Sequence, residues 1–213
     1  MDIEYIKPGD IEKRSFEILS VELEDAGIKL DDETGNIIKR CIHTTADLDY
    51  ARTMRFSDGA VKKLKDLILK GACIVTDTNM ALSGINKKEF SKYGGELYCF
   101  MADEDVAKEA KERQITRASV SMERAMRLDR PVIFALGNAP TALITLYEHY
   151  LNGSYTPAFI IGVPVGFVNV EASKELIMGS DIPYIVNEGR KGGSNVAAAI
   201  CNAVLYTLRE EMA

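Results

Sequence analysis

Histidine is scarce in this chain, with only two among 213 residues, His43 and His149. That excludes sites built on several imidazoles, and no metal-ligand cluster appears around either one. Cysteine is nearly as rare. Cys41, Cys73, Cys99 and Cys201 show neither CxxC nor CxxxH spacing, so they read as free thiols in a reducing compartment rather than a zinc site or disulfide frame. Basic residues are outnumbered, 26 against 32 acidic, for a formal charge of −6, which argues against general nucleic-acid binding. No apolar run reaches membrane-spanning length, and the opening MDIEYIKPGD lacks a signal-peptide pattern. Walker A and GxGxxG phosphate loops are also missing. The expectation is a cytoplasmic protein that contacts neither membrane nor nucleic acid.

What is present is a large apolar fraction, 46%, enough to bury the core of one domain over residues 1–213. The first part reads as helical. Asp10 precedes a helix with Ile11, Ser15, Ile18, Leu19 and Leu23 on its apolar side. A second carries Ile37, Ile38, Cys41 and Ile42, and residues 58–70 form a third, ended by Gly71. Beyond this N-terminal helical segment, strands and helices alternate. Strands are expected at 73–76, 96–100, 131–136, 158–163 and 183–186. Helices are expected at 103–113, 116–128, 141–151, 173–178 and 195–209. The fold class is α/β, a Rossmann-like, mainly parallel sheet with helices on both faces.

In such sheets ligands bind beyond the carboxyl ends of the strands, which directs attention to four polar or glycine-rich stretches. Gly189-Arg190-Lys191-Gly192-Gly193-Ser194 follows a strand and opens a helix. It serves either as an anion cradle of backbone N–H groups or as a plain loop capped by Ser194. Gly137-Asn138-Ala139-Pro140 has the same placement, with Pro140 suited to a first helical turn and Asn138 offering a donor and an acceptor. Asp77 and Thr78 follow another strand, Asp77 either touching a ligand or capping a helix. The fourth stretch is Gly162-Val163-Pro164-Val165-Gly166.

Arg117 stands in the first turn of a helix, where the dipole disfavours a cation, which favours gripping a carboxylate over a merely solvated arginine by a small margin. Ser15 on an apolar stripe reads locally as a small core residue, Arg14 beside it as solvated, and His149 as structural. His43, in Arg40-Cys41-Ile42-His43-Thr44-Thr45-Ala46-Asp47, ends a helix. The carbonyls there favour imidazolium, which suits a proton donor, but local evidence favours simple capping.

Seven stretches together resemble the precorrin-8X methylmutase family of cobalamin biosynthesis. They are KRSF at 13–16, RCIHTTAD at 40–47, DTNMALSGI at 77–85, TRAS at 116–119, GNAPTAL at 137–143, IIGVPVGFVNVEASKE at 160–175 and GRKGGSNVAAA at 189–199. The family's GRLGGS version lacks the lysine found here as Lys191. The resemblance implies a homodimeric isomerase that moves a methyl group from carbon 11 to carbon 12 of a corrin-type macrocycle. It implies no redox or nucleotide cofactor. His43 matches the family's catalytic acid/base and Ser15 a substrate-binding position. Arg14, Thr44, Asp77, Thr78, Arg117, Asn138, Lys191, Gly192, Gly193 and Ser194 complete the expected contacts with the corrinoid substrate and product. The competing readings are a nucleotide- or phosphate-binding α/β enzyme using 189–194, and a non-catalytic tetrapyrrole carrier.

Overall fold

The computed structural model describes residues 3–212. After a 3-10 turn at Pro8–Asp10 come α1 (Ile11–Asp25), α2 (Gly35–Thr45), α3 (Tyr50–Thr53), β1 (Met54–Phe56) and α4 (Ala60–Leu69). Then follow β2 (Cys73–Thr76), α5 (Asn79–Gly84), α6 (Lys87–Ser91), β3 (Leu97–Tyr98), α7 (Glu104–Arg113) and α8 (Arg117–Ala125). The chain finishes with β4 (Val132–Leu136), α9 (Pro140–Leu151), β5 (Phe159–Gly162), α10 (Val170–Met178), β6 (Tyr184–Asn187) and α11 (Ser194–Glu211). Among the described residues no helix is long and apolar enough to cross a membrane.

The sheet runs β1-β6-β5-β4-β2-β3, parallel throughout except for β1, which pairs antiparallel with β6. Strands β2, β4 and β5 are buried along their whole length, because helices cover both faces. Alternation sorts their side chains. Ile133 and Ala135 join the core beneath α1, α2, α4 and α11, while Val132, Phe134 and Leu136 join the core beneath α7 to α10. Each fully buried Ile or Phe stabilises by about 1.5–3 kcal/mol. α11 is buried along most of its length. Its alanines let neighbours come close: a side chain at Gly84 of α5 would lie 2.8 Å from Ala198 Cβ.

The Rossmann-like reading holds, with four differences. β1 was not expected, since three residues show no usable period. α3, α5 and α6 are likewise short and were passed over. The strand expected at 96–100 pairs only at Leu97–Tyr98, as the sheet's edge. On α1, Leu19 and Leu23 are buried, but Ile11 and Ile18 face solvent.

Chain order reverses between β2 and β4. From β2 the chain moves outward to β3, then crosses back to β4, β5 and β6. The carboxyl ends of β2 and β4 therefore flank the topological switch point, where an open α/β sheet forms its crevice.

Candidate active site

At that switch point stands Asp77, fully buried. Its carboxylate accepts hydrogen bonds from the backbone N–H groups of Gly137 (2.9 Å), Asn138 (2.7 Å) and Ala139 (2.6 Å). Burial raises its carboxyl above the ordinary aspartate value, and the three amide bonds act against that rise. Asp77 thus fastens the β4–α9 turn and is not exposed for substrate, which corrects the expectation of a contact. It is not the helix cap either. Thr78 caps α5 by accepting from Ala81 N–H at 3.1 Å. The Thr78 and Ser194 hydroxyls share a hydrogen bond of 2.7 Å. Ser194 is the first residue of α11, and Gly193, not Ser194, occupies the cap. A Cβ at Gly137 would lie 2.6 Å from the Gly193 backbone, so glycine is what lets these two turns touch. The starts of α5, α9 and α11 are thereby drawn together, with the Asn138 side chain left exposed.

The loop from β6 to α11 is held from below by a residue that motif reading missed. Lys174 of α10 is fully buried, and its ammonium donates to the Gly189 carbonyl (2.7 Å) and the Lys191 carbonyl (2.9 Å). Asn187 Nδ2 adds a bond to the Lys191 carbonyl at 3.0 Å. Gly192 has φ +157°, and a Cβ there would sit 2.1 Å from the Val163 oxygen. The Gly193 N–H donates to that same oxygen at 2.9 Å, so it is not free to bind an anion, contrary to expectation. The signal for Lys174 lay in helical spacing: Val170, Ser173, Lys174 and Ile177 all fall on the inward face of α10.

Burial lowers the Lys174 amine to about 8, with Glu171 opposing. The folded chain therefore releases this proton near pH 8, while the unfolded chain keeps it to its ordinary value of 10.5. The unfolded state binds more protons in that window, so this residue makes stability rise with pH between them. The stability gap between wild type and Lys174→Met is expected to widen by about 1–3 kcal/mol from pH 8 to 10.5. Urea unfolding across that range measures it, and a constant gap refutes the assignment.

His43 lies in the last turn of α2 and is exposed. Ala46 ends the helix in the left-handed region (φ 54°), its N–H donating to the Ile42 carbonyl at 2.7 Å. The Thr45 hydroxyl donates to the Cys41 carbonyl at 2.8 Å, leaving Thr44 exposed beside His43. The His43 ring stacks on Phe16 of α1, with centroids 5.0 Å apart and planes inclined by 12°. Arg40 lies over the same Phe16 ring at 4.8 Å and over Tyr206 at 5.1 Å, and it is ion-paired with Glu12. That bond holds the Glu12 carboxyl below its ordinary value. His149, read as structural, has its Nδ1 2.7 Å from the Ser154 hydroxyl.

Asp47 joins the two halves of this surface. The Lys191 ammonium donates to Asp47 and Asp49, both at 2.6 Å. These bonds raise the lysine and lower Asp47. Lys191, expected as a substrate contact, is therefore engaged as a tether between the α2 end and the glycine loop. Arg14 is also occupied, by Glu4 at 3.1 Å and Glu17 at 3.5 Å. Ser15 beside it is half-buried. Arg117 differs: it is exposed and forms no ion pair among the described residues. Thr116 caps its helix through Ser119 N–H, and Thr116 also bonds Thr141 at 3.1 Å, which sets Arg117 beside the start of α9.

Apolar surface completes the strand-end face. Met80, Phe167 and Val168 are 70%, 82% and 79% exposed, and Arg190 lies over the Phe167 ring. Exposed apolar groups next to polar ones suit contact with a ligand or another protein surface. A cleft of about 440 Å³ opens behind Phe16, lined by Glu12, Lys13, Arg40, Tyr206 and Arg209. Another of about 470 Å³, between α7 and α8, contains none of the expected site residues. Among the described residues no group of three or more His, Cys, Asp or Glu is arranged to hold a metal ion.

Known proteins resemble this chain along most of its length. The family model described as precorrin-8X methylmutase matches residues 10–207. The cobalt-precorrin-8 methylmutase of Salmonella typhimurium is 47% identical over 82% of this chain and 81% of its own. That of Priestia megaterium is 40% identical over 93% and 88%. The crystal structure of precorrin-8X methyl mutase from Thermus thermophilus superposes with a TM-score of 0.84 at 34% identity, covering 95% of this chain and 98% of that one.

Proposed function

This chain belongs to the precorrin-8X methylmutase family, and from that premise we propose that it moves a methyl group from carbon 11 to carbon 12 of precorrin-8 or cobalt-precorrin-8, with His43 as the general acid. It is an isomerase of cobalamin biosynthesis, catalysing an intramolecular methyl migration. The observation that carries the acid role is the exposed His43 ring in the last turn of α2, the helix end that the Lys191–Asp47 bond ties to the glycine loop.

An internal migration needs neither an enzyme nucleophile nor an electron carrier. What the protein supplies is a held macrocycle and an electrostatic pull. In this mechanism the imidazolium of His43 protonates or hydrogen-bonds a ring nitrogen near the migrating methyl. Electron density then leaves the conjugated path across which the methyl moves, and the barrier falls. Met80, Phe167 and Val168 support the flat ring, while Asn138, Thr44 and Arg117 meet its polar edge. Orientation of the ring adds to the acid's effect.

The test is direct. Incubation with precorrin-8, and separately with its cobalt complex, converts one or both to the corresponding corrin acid, followed by the visible spectrum. No conversion of either overturns the reading, and the ratio of the two rates assigns the preferred substrate. Arg117→Ala removes an unpaired cation aimed at a substrate carboxylate. It is expected to weaken product binding about 10- to 100-fold, with a smaller change in the rate constant at saturation. Spectral titration reads this, and an unchanged dissociation constant refutes the contact.

The homodimer implied by the family resemblance belongs to the same proposal. Ile11, Ile18 and Val21 of α1 leave apolar surface in solvent (54%, 43% and 56% exposed), next to Ser15 and close to the His43 stack. A second subunit covering α1 would bury that surface and help enclose a ligand wider than one subunit's face. A cytoplasmic location is part of the reading too.

A further inference from the structure

A general acid must point in one direction while keeping its nitrogens free for the substrate. Enzymes often fix a catalytic imidazole through a hydrogen bond to the nitrogen that does not react. His43 has no such bond: among the described residues neither of its ring nitrogens has a hydrogen-bond partner. Its ring is exposed, and an exposed side chain spreads over several rotamers unless something selects one. The contact that does so uses the flat face. Phe16 lies nearly parallel to the imidazole, 5.0 Å away.

We propose that Phe16 is the positioning residue for His43, and that Arg40, clamped between Glu12 and Tyr206, holds Phe16 in place. The parts form a stacked series across three helices. His43 and Arg40 stand one turn apart on α2, so both reach the same ring of α1. Arg40 is fixed in turn by its ion pair with Glu12 and by the Tyr206 ring of α11, on whose ring Arg209 also lies, at 5.1 Å. Stacking fixes the plane of the imidazole without occupying either nitrogen. This role rests on His43 being the acid.

With two histidines in the chain, imidazole resonances are simple to assign, and His149→Gln identifies which set belongs to His43. In Phe16→Leu the His43 ring protons lose the upfield ring-current shift that a stacked phenyl imposes. Turnover at saturation falls about 10-fold with KM nearly unchanged. Phe16→Tyr keeps the flat ring and restores both. Arg40→Met, which leaves Phe16 unbraced, gives a smaller loss of the same kind. In a His43→Asn background Phe16→Leu has no further effect on turnover, because it acts through a group already gone.

Three results would overturn the role. One is an unmoved His43 resonance in Phe16→Leu. Another is a raised KM with unchanged turnover, which would make Phe16 only a wall of the 440 Å³ cleft. The third is an additive loss in the double variant. If His43→Asn itself keeps full turnover, the acid reading fails. If His43→Asn is inactive and Phe16→Leu is normal in both readouts, only the role of Phe16 fails.

Discussion

His43→Asn is expected to isomerise the macrocycle about 10²–10⁴-fold more slowly than wild type, while binding product within a few-fold of it. That loss corresponds to about 3–5 kcal/mol of transition-state stabilisation. Asparagine keeps a polar donor of similar reach but has no proton to lend at neutral pH. The site is exposed and the helix end is closed by Ala46 and Thr45, so the substitution leaves the fold intact. Single-turnover spectroscopy with product titration separates the two effects. Wild-type turnover in the variant would remove His43 from the chemistry, and lost binding with normal turnover at saturation would make it a contact only.

Asp77→Ala is expected to cost about 3–6 kcal/mol of stability. The fully buried carboxylate accepts three N–H groups, and alanine leaves all three without an acceptor. Each orphaned donor costs about 1–3 kcal/mol. For a chain of this size the melting temperature falls by roughly 10–20 °C. Asp77→Asn retains one acceptor oxygen and should fall between the two. Calorimetry on the three proteins checks the order. If alanine melts within a few degrees of wild type, Asp77 does not fasten the turn, and a direct substrate role returns to consideration.

The contrast between these residues shows what sequence reading reaches. Position along the chain was legible for both: a histidine in a last helical turn and an aspartate just past a strand. Direction was not. Asp77 turns inward to backbone groups of a segment sixty residues away, and no local pattern records that. Phe16 was visible only as part of a family motif, because its stack on His43 depends on how α1 packs against α2. Fully buried strands such as β2, β4 and β5 announced themselves as apolar runs. β1 did not, being three residues long and held by pairing with β6. On α1, Ile11 and Ile18 lie roughly 100° round the helix from Leu19 and Leu23. The apolar stripe was real, but α2 and its neighbours cover only the leucine edge of it. The other edge belongs to the surface proposed for a partner subunit.

The tether from Lys191 to Asp47 and Asp49 also sets a schedule. Its ends are 144 and 142 residues apart in sequence, and the Thr78–Ser194 bond spans 116. α11, the last element, supplies much of the core beneath α2 and the central strands. During synthesis the histidine emerges early, yet Lys191 in the loop that braces its helix end follows Asp47 by 144 residues. A chain lacking α11 and the loop before it holds a half-covered sheet, without the Thr78–Ser194 bond or the Lys191 tether.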